Sequence, residues 1–509
     1  GGDFVPYNFF SGHECFDHDY AHLSDWTLDG KLDLICVNHS AGPGKIYDYS
    51  VGKPWSDRSA LAIPTDRVND SVIADFDGDQ IMDLFAIRGK VRVNGASIVG
   101  GKSVEAHLIN LRGTDTGITF ETGGDIEVEL HWIAANVGRV FIGSGGKHPR
   151  AAEPKQPITF TLNAADPTVH GIKQYDPALD EGIYVGYDPA TRTWSWFTSA
   201  GSQASAYTYV YLRSTQAVSN LEMVRLGNGE KAMKPAMLKY TNGKWSDQIA
   251  GTGLDHNVLC NAVAAADFDN DMDVDLYYVC SGGVQNTANR LYLNDGTGRF
   301  SMAAAPHGAE GPVGLGQGLG ENVSVSDYDV DGFVDLFVTN GLKLEPRFPG
   351  YQTGGPDKLF RNTGKDRGNQ NKWIQIDLRG VKSNRNGIGA TVTVTAGGKT
   401  QRREQNGGYH RWAQHDQRLH FGLGRNTKAN IKVFWPSGQV DTYLGVAANR
   451  VYKATEGKIV IEPVKIPGSV PPSGCGPAEG RPTYSYNDAR AIYIWKEAVS
   501  YTHLRAHET

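Results

Sequence analysis

The chain has 509 residues, too many for one ordinary hydrophobic core, so we expect two or more domains. Its 50 basic and 56 acidic side chains nearly balance, which leaves no basic stripe of the kind that binds nucleic acid. No apolar run reaches the roughly 18 residues of a membrane-spanning helix. The 62 glycines, with frequent Tyr and Phe and scarce Met, indicate a turn-rich, all-β protein.

Four acidic stretches recur along the chain and align without gaps: DWTLDGKLDL (25–34), DFDGDQIMDL (75–84), DFDNDMDVDL (267–276) and DYDVDGFVDL (327–336). Apolar or alternating residues precede each stretch, and a β-rich run follows it. The sequence therefore predicts a repeating unit of strand, acidic loop and strand. We refer to residues 25–33, 75–83, 267–275 and 327–335 as the 25-, 75-, 267- and 327-loops.

The spacing of the acidic residues predicts calcium binding. Ca²⁺ prefers about six to eight oxygen ligands, which a tight loop can supply from positions 1, 3, 5 and 9 and from a backbone carbonyl near position 7. An EF-hand is excluded, because it would need flanking helices and a glutamate at position 12. Asx-turns that cap hairpins are the alternative, but four loops in register favour calcium. The predicted ligands are Asp25, Thr27, Asp29, Asp33, Asp75, Asp77, Asp79, Asp83, Asp267, Asp269, Asp271, Asp275, Asp327, Asp329, Asp331 and Asp335.

The four loops are not equally well formed. Gly332 at position 6 of the 327-loop permits a sharp turn, whereas Gln80 and Met272 occupy that position in the 75- and 267-loops. Thr27 replaces an aspartate in the 25-loop. We therefore expect the 327-loop to be the best calcium site and the 25-loop to be the weakest.

The loops, together with the glycine-rich run GLGQGLGENVSVS (314–326), resemble the FG-GAP repeats of integrin-type β-propellers. The resemblance implies that each loop joins two strands of one blade and holds a calcium ion. Residues 373–455, with GIGATVTVTAGGKT (387–400), RLHFGLG (418–424) and WPSG (435–438), resemble the ASPIC and UnbV domain. This domain follows FG-GAP propellers in cartilage acidic proteins and in many bacterial secreted proteins. The resemblance to the ASPIC and UnbV domain supplies architecture more than chemistry.

About 180 residues without an acidic loop separate the second loop from the third. DIEVELHW (125–132) alternates strictly, and ITFTL (158–162) and YTYVYL (207–212) add strand-like segments, so we predict an inserted β-sandwich. We expect the propeller to resume at NLEMVRLGNG (220–229) with a blade that lacks a metal loop, which makes about five blades where integrin-like propellers have seven. The predicted fold class is all-β. Residues 1–99 begin the propeller, 100–213 form the inserted β-sandwich, and 214–370 continue the propeller. Residues 371–460 form the ASPIC/UnbV-like domain, and 461–509 form a proline- and glycine-rich linker and tail.

Cysteine spacing and glycosylation motifs indicate an extracellular protein. Cys15 and Cys36 flank one acidic loop and Cys260 and Cys280 flank another, which favours two disulfides and an oxidising compartment, with Cys475 left over. The N-x-S motifs at three asparagines agree with secretion: Asn38, Asn69 and Asn322.

Two hypotheses for function follow. The first is a secreted, non-enzymatic, calcium-stabilised structural or adhesion protein with extracellular protein or glycan partners, in a sharper form a glycosylated subunit that self-assembles into fibrils. The second is a carbohydrate-binding protein or polysaccharide-modifying enzyme, with Trp194 and Trp196 of the inserted sandwich stacking on a sugar ring, although a core position is the commoner role of such a pair. Two histidine groups are further candidates for metal sites, but their spacing favours a structural role: His13, His18 and His22, and His410, His415 and His420.

Overall fold

The structure is a computed structural model, in which the predicted all-β class is confirmed. Its regular elements are strands, apart from a single-turn 3₁₀ helix at Pro167–Val169 in the described portion of the chain. No helix among the described residues is long and apolar enough to cross a membrane. The residues described are 20–26, 32–37, 45–48, 56–57, 67–90, 95–134, 139–146, 158–202, 205–225, 231–241, 244–280, 288–303, 308–311, 319–341, 343–344, 352–353, 357–364, 368–411 and 413–464.

The first two acidic loops each join the first and second strands of an antiparallel sheet. The 25-loop joins β1 to β2 in the first repeat sheet, and the 75-loop joins β5 to β6 in the second. The strands of the first sheet, and the first two of the second, are β1 (Tyr20–Ser24), β2 (Asp33–Val37), β3 (Lys45–Asp48), β4 (Ser56–Asp57), β5 (Val68–Ala74) and β6 (Asp83–Lys90).

Two five-stranded sheets interrupt the second repeat sheet after β6. Their strands are β7 (Gly95–Val99), β8 (Ser103–Leu111), β9 (Asp115–Glu121), β10 (Ile126–Ala134), β11 (Val140–Ile142), β12 (Ile158–Leu162), β13 (Glu181–Asp188), β14 (Thr193–Ala200), β15 (Ser205–Ser214) and β16 (Ser219–Val224). The strand orders are β12-β10-β15-β8-β7 and β11-β13-β14-β9-β16. Apolar side chains from both sheets enclose one core, because inward and outward positions alternate along each strand.

The second repeat sheet is completed only after this insertion. Strands β17 (Lys231–Ala232) and β18 (Ala236–Thr241) both pair with β6, and β19 (Lys244–Asp247) pairs with β18. The 267-loop then joins the first two strands of the third repeat sheet, and the 327-loop joins those of the fourth. Their strands, with one separate hairpin (β26 and β27), are β20 (Ala262–Ala266), β21 (Asp275–Val279), β22 (Arg290–Asn294), β23 (Phe300–Met302), β24 (Leu319–Ser326), β25 (Asp335–Gly341), β26 (Lys343–Leu344), β27 (Gln352–Thr353) and β28 (Lys358–Phe360).

The remaining strands form a two-sheet C-terminal module. Its strands are β29 (Lys372–Arg379), β30 (Thr391–Ala396), β31 (Lys399–Glu404), β32 (Tyr409–His410), β33 (Ala413–Gln414), β34 (Leu419–Gly424), β35 (Lys428–Phe434), β36 (Val440–Ala447), β37 (Arg450–Thr455) and β38 (Glu462–Pro463). The sheet orders are β34-β29-β37-β38 and β31-β30-β35-β36, with β32 and β33 as a separate hairpin. Alternating exposed and buried residues along β35 place one face of its sheet on the core of the module.

The repeat sheets pack in chain order. One apolar cluster joins the first sheet to the second, another joins the second to the third, and a further cluster joins the third to the fourth. Among the described residues no apolar cluster joins the fourth sheet back to the first. The β32–β33 hairpin contacts β1, β5 and β24, the first strands of three of these sheets. The closed propeller that the resemblance implies is therefore not seen in the described residues.

Three expectations about the insertion are wrong. It begins with β7 at residue 95 rather than at residue 100, and it extends through β16 to residue 224 rather than ending at residue 213. The expected fifth blade is absent from the described residues, because β18 and β19 complete the sheet of the 75-loop. Trp194 and Trp196 are 0% and 1% exposed in the core, so neither can stack on a sugar at the surface.

Candidate calcium sites

The 75-, 267- and 327-loops share one backbone conformation. Positions 4 and 6 adopt positive φ angles in all three, whether or not glycine is present: Gly78 (76°), Gln80 (69°), Asn270 (61°), Met272 (86°), Val330 (57°) and Gly332 (96°). Non-glycine residues in this region cost roughly 1–2 kcal/mol each, and such strain is concentrated at functional sites. The turn is therefore imposed by the loop as a whole, and the lack of glycine at Gln80 and Met272 did not prevent it.

Two recurring hydrogen bonds turn carboxylates of the acidic loops inward, at the last position in all four loops and at the first position in the 75-, 267- and 327-loops. The backbone N–H at position 2 donates to the position-9 carboxylate in all four loops, from Trp26 to Asp33 (3.1 Å), Phe76 to Asp83 (3.2 Å), Phe268 to Asp275 (3.0 Å) and Tyr328 to Asp335 (3.1 Å). The N–H at position 6 donates to the position-1 carboxylate over 3.0 Å, from Gln80 to Asp75, Met272 to Asp267 and Gly332 to Asp327. These bonds fix the carboxylates around a common centre.

The structure brings three of the four predicted ligands together in each of these loops. One oxygen from each member lies within 4.8 Å of the others, and the groups are Asp75, Asp77 and Asp83; Asp267, Asp269 and Asp271; and Asp327, Asp329 and Asp335. The fourth predicted ligands, Asp79, Asp275 and Asp331, lie in the same loops outside these groups. In the 25-loop, Asp25 and Asp33 are buried, whereas Thr27 and Asp29 lie outside the described residues.

Several of these carboxylates have a buried oxygen with no hydrogen-bond donor. They are Oδ1 of Asp75, Oδ1 of Asp83 and Oδ1 of Asp327, and the three residues are 6%, 3% and 2% exposed. A buried charged oxygen without a partner is costly, so each such atom needs a compensating group. An oxygen-preferring cation such as Ca²⁺ meets that need, and the residues present therefore fit a calcium ion.

The environment of the carboxylates also opposes their negative charge. Burial, reinforced by the neighbouring Asp77, raises the pKa of Asp83 to about 8. Burial raises the pKa of Asp335 to about 8 and that of Asp327 to about 7. Burial and the charges of Asp271 and Asp269 likewise raise the pKa of Asp267. A divalent cation at the centre of each loop would reverse these shifts.

Basic side chains neutralise some of the charge in two loops. Lys239 pairs with Asp77 and, over 2.8 Å, with Asp79. Arg361 pairs with Asp329 over 2.6 Å and with Asp331 over 2.7 Å. Lys239 and Arg361 each contact one member of a three-carboxylate group, Asp77 and Asp329 respectively, so the basic residue and a calcium ion would share that carboxylate.

Two asparagines link successive loops, and the sequence predictions missed both. Asn294 Nδ2 donates to the carbonyl of Phe76 (2.8 Å) in the 75-loop and to that of Val274 (3.0 Å) in the 267-loop. Asn362 Nδ2 repeats this one sheet further on, with Phe268 (2.8 Å) and Val334 (3.2 Å). The signal was present as L-x-x-N-x-G in RLYLNDG (290–296) and KLFRNTG (358–364).

The predicted disulfides and glycosylation sites have mixed outcomes. A disulfide joins Cys260 to Cys280, as predicted. Cys36 is also disulfide-bonded, while Cys15 and Asn38 lie outside the described residues. Asn69 and Asn322 are wrong as glycosylation sites, because they are 2% and 5% exposed and a glycan must extend from the side-chain nitrogen into solvent.

Histidines from distant segments meet in one buried region, which the sequence did not indicate. His22 Nε2 lies 2.7 Å from Ser71 Oγ, and His410 Nδ1 lies 2.9 Å from Asp70. The rings of His410 and His415 are 4.5 Å apart, centroid to centroid. Burial lowers the pKa of His22 to about 4, so this side chain is neutral at physiological pH.

The repeat sheets, their acidic loops and the C-terminal module together define a class of protein. Residues 25–86 and 267–338 match the FG-GAP-like repeat, and residues 380–460 match ASPIC and UnbV. The chain therefore carries FG-GAP-like repeats followed by an ASPIC and UnbV domain, and the predicted resemblance is confirmed.

Within this class the chain is similar to cartilage acidic protein 1. It is 28% identical to the Xenopus tropicalis protein over 184 residues and 28% identical to the Mus musculus protein over 186 residues. Each match covers 35% of this chain and 26% of the relative, so the chain spans about a quarter of the length of these relatives. Among solved structures, the V. cholerae biofilm matrix protein Bap1 aligns over 68% of this chain and 63% of its own, at 10% identity and a TM-score of 0.21. A TM-score this low does not indicate a shared fold.

Proposed function

We propose that this chain is an extracellular, non-enzymatic structural or adhesion protein whose repeat sheets belong to an FG-GAP-type β-propeller stabilised by calcium. The observation that carries the proposal is the set of buried carboxylate oxygens without donors in the 75- and 327-loops, at Asp75, Asp83 and Asp327. The convergence of three carboxylates in each of three loops, and the match to FG-GAP-like repeats, also support it.

The ligands in this proposal are the carboxylates of the four acidic loops. Ca²⁺ supplies positive charge and accepts several oxygen ligands at once, which relieves the repulsion among closely packed carboxylates. The hydrogen bonds from positions 2 and 6 hold the first and last carboxylates in place, and Lys239 and Arg361 offset some of the remaining charge. The 25-loop remains the weakest proposed site, because Thr27 supplies a neutral oxygen in place of a carboxylate.

The extracellular assignment rests on the disulfide and on the relatives. Structural disulfides persist in oxidising compartments, and one joins Cys260 to Cys280. The similar proteins are named for cartilage, a tissue that consists largely of extracellular matrix. Extracellular proteins or glycans are therefore the proposed partners, and self-assembly into fibrils is a sharper form of the same proposal. Electron microscopy of the native protein tests the fibril form, which uniformly separate single molecules would contradict.

Calcium removal tests the proposal directly. Because a ligand that binds only the folded state stabilises it, excess EDTA should lower the melting temperature measured by calorimetry, and added calcium should restore it. Asp83→Asn should weaken calcium binding measured by isothermal titration. Asp188→Asn, at an exposed turn of the insertion, is the matched control and should leave binding unchanged. A melting curve that EDTA does not shift, with no heat of calcium binding, would overturn the proposal.

A further inference from the structure

We propose that calcium in the acidic loops locks the C-terminal module onto the repeat sheets, so that removing calcium releases the module while each of its own sheets stays folded. This inference rests on the proposed calcium binding and extends it, from the stability of single loops to the arrangement of two regions of the chain. The surface concerned is the side of the 267- and 327-loops that faces β29, β31 and β34 of the module.

The module contacts a predicted calcium ligand directly at the 327-loop. Gln375 Nε2 of β29 donates to Oδ2 of Asp327 over 2.7 Å, and Arg418 donates to the backbone carbonyl of Asp327 over 3.2 Å. Trp373 lies against Gly332 so closely that a Cβ added there would stand 1.7 Å from the indole nitrogen. The position of Asp327 therefore depends on the module, and the docking of the module depends on this turn.

The 267-loop makes a second set of contacts through Asn270, at a positive-φ position of the loop. Its side-chain oxygen lies 2.7 Å from His420 Nε2, and its carbonyl accepts the N–H of Gly424 over 2.9 Å. Its Nδ2 donates to the carbonyl of Gly332 over 2.8 Å, which joins the two loops. Gly422 approaches so closely that an added Cβ would lie 2.1 Å from Oδ2 of Asp267. One residue thus connects both loops and the module.

Strand β31 extends the contact to the 75- and 25-loops. Arg402 donates a hydrogen bond to the carbonyl of Gln80 over 3.1 Å, and the carboxylate of Glu404 accepts one from the hydroxyl of Ser24 over 2.5 Å. Lys399 pairs with Asp273 of the 267-loop. The module therefore touches all four acidic loops or the residue that precedes them.

The apolar core of the module is almost separate from the cores of the repeat sheets. Of the described repeat-sheet residues, only Met272 belongs to the apolar core cluster of the module. A cavity of about 160 Å³ lies between the two regions, and its lining combines aliphatic side chains with polar ones that include His22, Gln375, His410 and Arg418. The module is therefore held on the repeat sheets by hydrogen bonds to atoms of the acidic loops. These atoms are in place only while the loops keep their conformation.

Calcium is the natural determinant of that shape. The 75-, 267- and 327-loops each crowd several carboxylates together and hold two positive-φ residues, at least one of which is not glycine, so neither charge nor backbone preference favours the turn without a cation. Lys399 forms an ion pair with one of the five aspartates in the 267-loop, Asp273, and the nearby charge of Arg403 does not prevent burial from raising the pKa of Asp267. If calcium favours the docked loop conformation, the docked module must favour calcium binding by the same factor, because coupling is reciprocal.

Hydrogen exchange of the full chain, followed by mass spectrometry in calcium and in EDTA, tests the release. Two module amides report docking directly: Asp416 N–H donates to the carbonyl of Val325 (3.1 Å), and Gly424 N–H donates to that of Asn270. In EDTA we expect peptides carrying these amides to lose protection together with the acidic loops, while β30 and β35 inside the module remain protected. Loops that lose protection while both reporters keep it would overturn the locking and leave calcium binding intact. Loops that EDTA does not affect would overturn the proposed function instead.

Because the coupling between docking and calcium binding is reciprocal, weakening the docking should weaken calcium binding. Substitutions of module residues that are not predicted calcium ligands test this independently. Gln375→Leu and Arg402→Met each remove a docking contact, so the calcium dissociation constant of the full chain should rise by at least about fivefold, the lower end of typical coupling. Gln439→Leu is the matched control, since Gln439 bonds only within the module, and it should not change the affinity. If Gln375→Leu does not fold, Arg402→Met alone decides. Unchanged affinity in the folded variants would overturn the inference.

Discussion

Gly332 gives the sharpest test of how the 327-loop meets the C-terminal module. Its φ of 96° is outside the range that alanine accepts readily, and forcing a Cβ into that region costs roughly 1–2 kcal/mol. The added Cβ would also stand 1.7 Å from Nε1 of Trp373, a side chain that is 7% exposed and has little room to move. Overpacking of this kind costs roughly 1–3 kcal/mol more. Gly332→Ala should therefore lower the free energy of unfolding by about 2–5 kcal/mol in total.

Gly438 is the matched control for the backbone contribution to that cost. Its φ is 86°, yet an added Cβ would meet nothing within 4 Å, so Gly438→Ala should cost only about 1–2 kcal/mol. Urea unfolding in saturating calcium measures both variants, with the shift in midpoint read at constant slope. Equal losses at the two glycines would refute the close approach of Trp373 to the loop.

Three further predictions concern pH, the insertion and the disulfide. Because burial raises the pKa of Asp83 from 3.8 to about 8, the folded calcium-free protein keeps a proton that the unfolded chain releases. Its stability should therefore fall as pH rises through this range, so melting in EDTA should occur at lower temperature near pH 8 than near pH 5; the opposite trend would contradict this. Trp194→Ala should cost about 3–5 kcal/mol by urea unfolding, because the side chain fills the core, whereas Leu179→Ala at an exposed site should cost almost nothing. Replacing both Cys260 and Cys280, which are 20 residues apart, by serine should cost about 3 kcal/mol, and a reducing agent should have no further effect at this bond.

The repeat and its clusters of carboxylates could be predicted from the sequence because they are local. The spacing of Asp327, Asp329 and Asp335 within nine residues lets a single loop bring three carboxylates together. Likewise, the alternation in TVTVTA places one face of β30 on the core of the module. Each of these patterns depends on residues close in sequence, whose relative directions follow from the backbone geometry of a strand or a tight turn.

The insertion shows where such reading fails. Strand β16 has the apolar pattern of a repeat-sheet strand, but it pairs with β9, about 100 residues earlier in the chain. Trp194 and Trp196 alternate as surface residues of a strand can, and only the packing of two sheets shows that both are buried. Pairing between distant strands depends on which surfaces meet, which a periodic pattern does not specify.

Local spacing along the chain specifies the four acidic loops, their clusters of carboxylates and the two kinds of module that the chain carries, since each follows from residues a few positions apart. The contacts between the acidic loops and the C-terminal module depend instead on how the sheets pack. Gln375 and His420 are about 50 and 150 residues from the loop residues they contact, Asp327 and Asn270. Such contacts depend on how separate sheets dock, and no local spacing encodes them. The acidic loops are therefore local in origin, but their place between the repeat sheets and the C-terminal module belongs to the folded chain.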